Sequence, residues 1–149
     1  MIDDKEIQVF IDGTKHYFST ISDDAVVVGT PYLVDPKETP ARDFTGIIGV
    51  SGARKGCVYF SAPKTMLRYL LSSIGETQIS DELIHDIVGE VANTLSGNAR
   101  DKFGAQFMIS VPIVVQSLPD SIQLPTHLQA FVIPIEWQTL QAYLVVCLE

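Results

Sequence analysis

Four residues between positions 81 and 97 have the types and spacing of a polar row on one face of a helix: Asp86, Glu90, Asn93 and Gly97. Spacings of four, three and four residues place them within about 60° of one another around a helix axis. A carboxylate can pair with a cation on another molecule. A side-chain amide can orient a water molecule because it both donates and accepts hydrogen bonds. We call these four residues the motif row.

The composition of the motif row differs from that of an ordinary solvated helix face. It has no lysine or arginine, and its two acids stand four residues apart, a repulsive spacing. Asn93 and Gly97 are poor helix formers. A solvated face and a contact surface for another molecule both remain open from this pattern alone.

The opposite side of the same segment is apolar, which predicts a helix from about Asp81 to about Asn98 with a buried stripe. Ser80 precedes it and is a favourable N-cap. The residues predicted to be buried are Ile84, Ile87, Val88, Val91 and Leu95.

The rest of the chain predicts one α+β domain over residues 1–149, with an antiparallel-rich sheet and helices packed on one face. A helix is predicted over 3–18, weakened by Gly13, and another begins at Pro63 and ends before Gly75. The stretch 25–34 is typical of a strand start containing a turn. Further strands are predicted as follows: 43–51 and 56–62 joined by the hairpin loop "SGARKG", 106–117, and a final hairpin of 127–137 and 140–149.

Composition excludes several function classes. The 149 residues carry a net charge of -8, which argues against a nucleic-acid partner because phosphate binding needs a basic patch. There is no apolar run of about 18 residues to span a membrane. The acidic start "MIDDKE" is unlike a signal peptide, so we expect a cytoplasmic protein. Cys57 and Cys147 are predicted to be buried free thiols.

No metal or cofactor site is expected on this chain. His16, His85 and His127 do not form Cys/His pairs at the spacing of zinc ligands.

The motif row, with its flanking segments, resembles the signature of the CheC/CheX family. These are bacterial chemotaxis proteins that dephosphorylate the response regulator CheY. "IIGVSGARKGCVYFSAPKTMLRYL" resembles the family's strand–turn–strand–helix before the motif, and "MISVPIVV" resembles the strand after it. The single motif copy is similar to CheX, whereas CheC typically carries two.

Pro112 takes the place of the family proline but lies a few residues nearer to Asn93. The difference falls in "NARDKFGAQ", predicted as a helix end and loop, where length varies at low cost.

The resemblance implies a phosphatase for the aspartyl phosphate of a CheY-type response regulator. Asn93 would orient the attacking water, and Glu90 would pair with the regulator's active-site lysine. Mg²⁺ would belong to the regulator and not to this chain. Asp86 and Gly97 are assigned to partner binding, with a plain surface acid and a local helix-end glycine as their alternatives. The alternative function is a non-catalytic module that docks on a phosphorylated regulator or a flagellar-switch component.

The resemblance also implies a homodimer. The C-terminal run "LQAYLVVCLE" is apolar on both alternating faces, and such a strand at an exposed edge invites pairing with a second copy. In the neighbouring strand, Pro134 predicts an interrupted ladder position or a bulge.

Overall fold

Three amphipathic helices pack against one sheet in the computed structural model, which describes residues 2–116, 124–125 and 127–149. The helices are α1 (Asp4–Ile21), α2 (Lys64–Ser73) and α3 (Asp81–Phe103), and a 3₁₀ turn spans Pro36–Glu38. The strands are β1 (Val27–Val28), β2 (Tyr32–Val34), β3 (Phe44–Gly52), β4 (Gly56–Ala62), β5 (Phe107–Ile109), β6 (Ile113–Gln116), β7 (Ala130–Trp137) and β8 (Leu140–Leu148). The predicted α+β class is confirmed.

Every strand pairing among the described residues is antiparallel. The order is β1-β7-β8-β4-β3-β5, with β2 also paired to β7 and β6 also paired to β3. Both predicted hairpins are present, β3 with β4 and β7 with β8. Because β3 holds β6 beside its first half and β5 beside its second half, these two short strands together form one edge of the sheet.

Helix α1 is longer than predicted and runs through Gly13 without a break. A capping box starts it: the Asp3 carboxylate accepts from the Glu6 N–H at 2.9 Å, and the Glu6 carboxylate accepts from the Asp3 N–H at 3.2 Å. Glu6 also binds Arg54 of the β3–β4 turn at 2.5 Å. A Cβ on Gly13 would lie 3.7 Å from Cβ of Asn98, an ordinary van der Waals distance, so α1 passes beside α3 here without requiring glycine.

All three helices cover the same face of the sheet, as predicted. Their apolar residues share one core with β-strand side chains such as Ile48, Phe60 and Leu144. The opposite face carries a second, smaller cluster in which Tyr59, Val145 and Cys147 pack with Leu124. The chain therefore covers part of its own second face.

The expected edge position of the C-terminal strand is wrong. β8 lies inside the sheet, hydrogen-bonded to β7 on one side and β4 on the other. Its two apolar faces are explained by the two clusters, since Leu144 and Val146 belong to the helix side and Val145 and Cys147 to the other. An apolar strand with two covered faces does not by itself require a second copy of the chain.

The predicted strand 106–117 is two strands with a break between them, and its last residue, Ser117, lies outside the described residues. β6 and β5 pair with β3 in registers that differ by one residue, Ile47↔Ile113 and Val50↔Ile109. The extra residue is accommodated at the break between β5 and β6. Pro112 lies in this break and has no N–H to donate to the neighbouring strand. Ser110 Oγ accepts from the Gly49 N–H at 2.8 Å and restores one hydrogen bond.

The interruption predicted at Pro134 is confirmed on one side of β7 only. The ladder to β8 is continuous, with Pro134 opposite Tyr143. On the other side, β1 and β2 pair with β7 in registers one residue apart, and Gly29 between them donates to the Pro134 carbonyl at 2.8 Å. The proline thus stands where the neighbouring strand is broken.

Candidate functional site

Helix α3 carries the motif row, and its ends are well capped. Ser80 Oγ accepts from the Leu83 N–H at 3.2 Å, and two acids begin the helix where its dipole favours them. Gly104, with φ of 98°, ends it. The helix is five residues longer than predicted, so residues 99–103 are helical and not part of a loop.

The inner side of α3 is buried as predicted. The five predicted positions, Ile84, Ile87, Val88, Val91 and Leu95, are each 4% exposed or less. Gly89, Ala92, Ser96 and Ala99 are also buried, which makes the buried side wider than the predicted stripe. Only a narrow strip of α3 therefore faces solvent.

Two glycines place α3 almost directly on the backbone of the sheet. A Cβ on Gly46 of β3 would lie 2.6 Å from the Val88 carbonyl oxygen. A Cβ on Gly89 would lie 3.0 Å from Val114 and 3.4 Å from Pro112. These close contacts involve Val88 and Gly89, the two residues that precede Glu90 in α3. The sequence alone did not predict them. A glycine inside an apolar strand was the available signal, since it marks a close backbone approach.

The motif row lies on the exposed strip. Asp86, Glu90 and Asn93 are exposed, and Gly97 is partly exposed. Within the described part of the chain, none of the three side chains forms a hydrogen bond or ion pair with another residue. A carboxylate and an amide, three residues apart on a packed helix, are thus free to engage another molecule.

The helix-end interpretation of Gly97 is wrong, because α3 continues to Phe103. A Cβ at this position would meet no atom within 4 Å, so packing inside the chain does not require glycine here. Because Gly97 has no side chain, no atoms project from α3 at this position, one turn after Asn93.

Helix α1 flanks the motif row, a feature that the sequence did not reveal. It runs antiparallel to α3, with Phe10 against Phe103 (ring centroids 6.0 Å apart) and Gly13 against Asn98. One turn further along α1, Tyr17 is half-buried and packs against the main core. Burial raises the pKa of Tyr17 to about 12, and the nearby Glu90 charge contributes. A tyrosine phenol already keeps its proton at neutral pH, and burial strengthens that preference.

The other candidate groups do not form a site. Cys57 and Cys147 are free, as predicted, and face each other across the β4–β8 ladder, but only Cys147 is fully buried and Cys57 is partly exposed. Burial raises the pKa of the Cys57 thiol to about 12 and also raises that of Cys147. No group of three or more His, Cys, Asp or Glu residues suited to a metal ion occurs among the described residues. In the same part of the chain, no helix is both long and apolar enough to span a membrane.

Comparison with known proteins gives one family and several structures. The sequence profile of the family described as "Chemotaxis phosphatase CheX" matches residues 44–136, which include the whole motif row. A CheC-like superfamily protein from Shewanella sp. PV-4 has 25% identity and a TM-score of 0.83, with 99% of each chain covered. A putative chemotaxis protein from Desulfovibrio vulgaris Hildenborough has 25% identity and a TM-score of 0.83, with 97% of each chain covered.

A third structure is similar in fold at lower identity. It is the CheX-CheY-BeF₃-Mg²⁺ complex from Borrelia burgdorferi, with 17% identity, a TM-score of 0.80, and coverage of 100% of this chain and 99% of that one. No curated protein sequence is significantly similar to this chain.

Proposed function

Because this chain belongs to the CheX family of chemotaxis phosphatases, we propose that it hydrolyses the aspartyl phosphate of a CheY-type response regulator. The observation that supports this most directly is the presence of both Glu90 and Asn93 on the exposed strip of α3. Neither side chain forms a hydrogen bond or ion pair within the described residues. The chain would act in the cytoplasm, bind no cofactor itself and use the Mg²⁺ of the regulator.

The chemistry requires little from this chain beyond positioning. An aspartyl phosphate is an acyl phosphate that water attacks slowly without a catalyst, so placing a water in line with the departing bond is the main contribution left. The Asn93 amide suits this task because it is neutral and can both accept from and donate to that water.

Glu90 would set the register of docking. It lies one turn before Asn93 on the same strip. A carboxylate there can form a charge-assisted hydrogen bond with a lysine of the regulator. The negative charge of the whole chain, -8, also favours approach of a basic patch. Asp86, a turn earlier, would contact the rim of the interface.

A phosphate-release assay with a panel of phosphorylated CheY-type regulators tests the proposal. We expect this chain to accelerate the decay of at least one phosphorylated regulator above its own rate. Binding to a phosphorylated regulator without any acceleration would instead favour the non-catalytic docking module. The water-orienting amide argues against that alternative, since docking alone has no need of it.

The open surface at Gly97 yields a prediction that separates stability from docking. Gly97→Ala and Gly97→Gln should both raise the free energy of unfolding, by about 0.5–1 kcal/mol, because each is a better helix former than glycine and the position is sterically open. Gly97→Gln alone should weaken regulator binding, because its long side chain occupies the space beside Asn93. Thermal unfolding and titration with the regulator measure the two effects. Equal regulator affinity for both variants would show that Gly97 does not take part in regulator binding.

A homodimer remains our proposal, supported now by the true edges of the sheet. Exposed apolar side chains lie at both edges, Leu33 on β2 and Ile113 on β6. Edge strands of this kind pair readily with a second copy. Light scattering at micromolar concentration should give twice the chain mass of 16.4 kDa. A mass of one chain under those conditions would exclude the dimer.

A further inference from the structure

The break between β5 and β6 lies directly against the helix that carries the motif row. Pro112 packs on Gly89 of α3, where an added Cβ would lie 3.4 Å from the Pro112 Cβ and 3.5 Å from its Cγ. Gly89 is four residues before Asn93 and three after Asp86, so it neighbours both on one side of the helix, with about 5–6 Å between Cβ positions. Residues 110–112, which we call the break segment, therefore adjoin the motif row.

The break segment exposes an apolar side chain on a well-held backbone. Val111 is 80% exposed, more than any other large apolar residue in the described part of the chain. The Ser110 N–H donates to the Gly49 carbonyl at 2.9 Å. The Ser110 hydroxyl accepts from the Gly49 N–H at 2.8 Å and donates to the Val111 carbonyl at 2.9 Å. Because Pro112 fixes φ on the other side, this valine loses little freedom when another molecule covers it.

We propose that the break segment is a second contact surface for the response regulator, with Val111 packing against an apolar side chain beside the regulator's phosphorylated aspartate. The inference rests on the proposed function and extends the site from α3 to the edge of the sheet. Val111 is assigned a role in binding and no contact with the phosphoryl group or the attacking water.

The size of a protein interface favours the regulator as the partner at this surface. A stable interface buries about 800 Å² on each partner, which is a patch about 30 Å across contributed by roughly 20–30 residues. The four residues of the motif row cannot supply that area, so a regulator that meets Asn93 must also cover neighbouring elements. The contact of Pro112 with Gly89 places Val111 on the order of 10 Å from Asn93, inside such a patch.

A second copy of the chain is the alternative occupant, because the break segment belongs to an edge of the sheet. Strand pairing is disfavoured at this point. Val111 and Pro112 lie outside both ladders with β3, and Pro112 has no N–H to donate. β6, which begins at Ile113, keeps its own edge for pairing. The break segment thus offers a side-chain surface, and not a strand, where it adjoins the motif row.

The test uses Val111→Ser, which removes the apolar contact at an exposed position and should leave the melting temperature unchanged. The probe is a CheY-type regulator that the wild-type chain dephosphorylates, loaded with beryllium fluoride for binding and with phosphate for turnover. We expect Kd and KM to rise about tenfold, the effect of losing the burial of one valine side chain, while kcat changes less than about twofold. The loss should be equal at low and high salt, because no charge is removed.

Val111→Ile is the conservative variant. It keeps an apolar side chain of similar shape, so Kd should stay within about twofold of the wild-type value. A tenfold loss in this variant as well would overturn the inference, because the apolar contact would not be the cause.

Met108→Ser is the matched control, since Met108 is also an exposed apolar residue of this edge. It alternates along β5 with Phe107 and Ile109, which pack on the helix side, so it faces away from α3. It should leave Kd, KM and kcat unchanged. Equal losses for Met108→Ser and Val111→Ser would overturn the inference, because the effect would not belong to the break segment.

An unchanged Kd for Val111→Ser would also overturn the inference. If light scattering of that variant then showed the loss of a dimer, the break segment would belong to the contact with a second copy.

Failure of the proposed function would be visible before any variant is made. In that case the wild-type chain would neither bind nor dephosphorylate a regulator, and the inference about Val111 would fall with it. Wild-type activity together with an unaffected Val111→Ser variant would overturn only the inference.

Discussion

Asn93→Ala is expected to abolish phosphatase activity, lowering the rate by about 100-fold or more, while the fold and much of the docking survive. The rate falls because the attacking water loses the group that places it, and positioning effects of this kind commonly reach that size. The fold survives because Asn93 is exposed and forms no hydrogen bond within the described residues. Alanine is also the better helix former by several tenths of a kcal/mol, so the melting temperature should not drop.

Three measurements separate catalysis from docking in this variant. Phosphate release gives the rate, thermal unfolding gives stability, and titration with a beryllium fluoride-loaded regulator gives the affinity. Asn93→Gln is the matched variant, because it keeps the amide and moves it by about one methylene. We expect it to fail as well if placement of the water is the mechanism. Wild-type phosphate release by Asn93→Ala would make the catalytic assignment wrong and favour the docking module.

Glu90→Ala should lose affinity as well as rate. Removing one partner of a charge pair that is buried on docking costs about 2 kcal/mol or more, which is roughly a 30-fold rise in Kd. With dilute regulator the rate should fall by the same factor, and saturating regulator should recover part of it. This dependence on regulator concentration distinguishes Glu90 from Asn93.

Asp86→Ala is the matched control for Glu90, since it removes an exposed acid from the same strip of α3. A charge at the rim of an interface contributes little, so Kd should change less than about threefold. Added salt should weaken wild-type binding more than it weakens binding by Glu90→Ala, because only the former retains the ion pair. Equal losses for the two acids would mean that Glu90 has no specific partner and contributes only general charge.

The sequence by itself determined the helix that carries the site and the face that the site occupies. The periodicity of Ile84, Ile87, Val88, Val91 and Leu95 is a local property, because burial of one side of a helix follows from 3.6 residues per turn. The exposure of Asp86, Glu90 and Asn93 follows from the same geometry. The two hairpins were also predictable, since each joins apolar strands by a short turn.

Only the tertiary structure decided how deeply that helix sits and what lies next to it. The close approach at Gly46 and Gly89 depends on strands far away in the sequence. The same holds for the packing of α1 on α3, where Phe10 meets Phe103. No local pattern encodes which helix neighbours which, because that choice is made by the fit of whole surfaces in the core.

The position of the C-terminal strand within the sheet was the other property that the local sequence did not determine. The run at 140–149 is apolar on both faces, and that pattern fits an edge strand awaiting a partner as well as a central strand covered on both sides. The sheet places β8 between β7 and β4, with the helices on one face and a second cluster on the other. The alternation of apolar and polar residues shows which faces of a strand are buried. It does not show which other elements bury them, because that depends on contacts between distant parts of the chain.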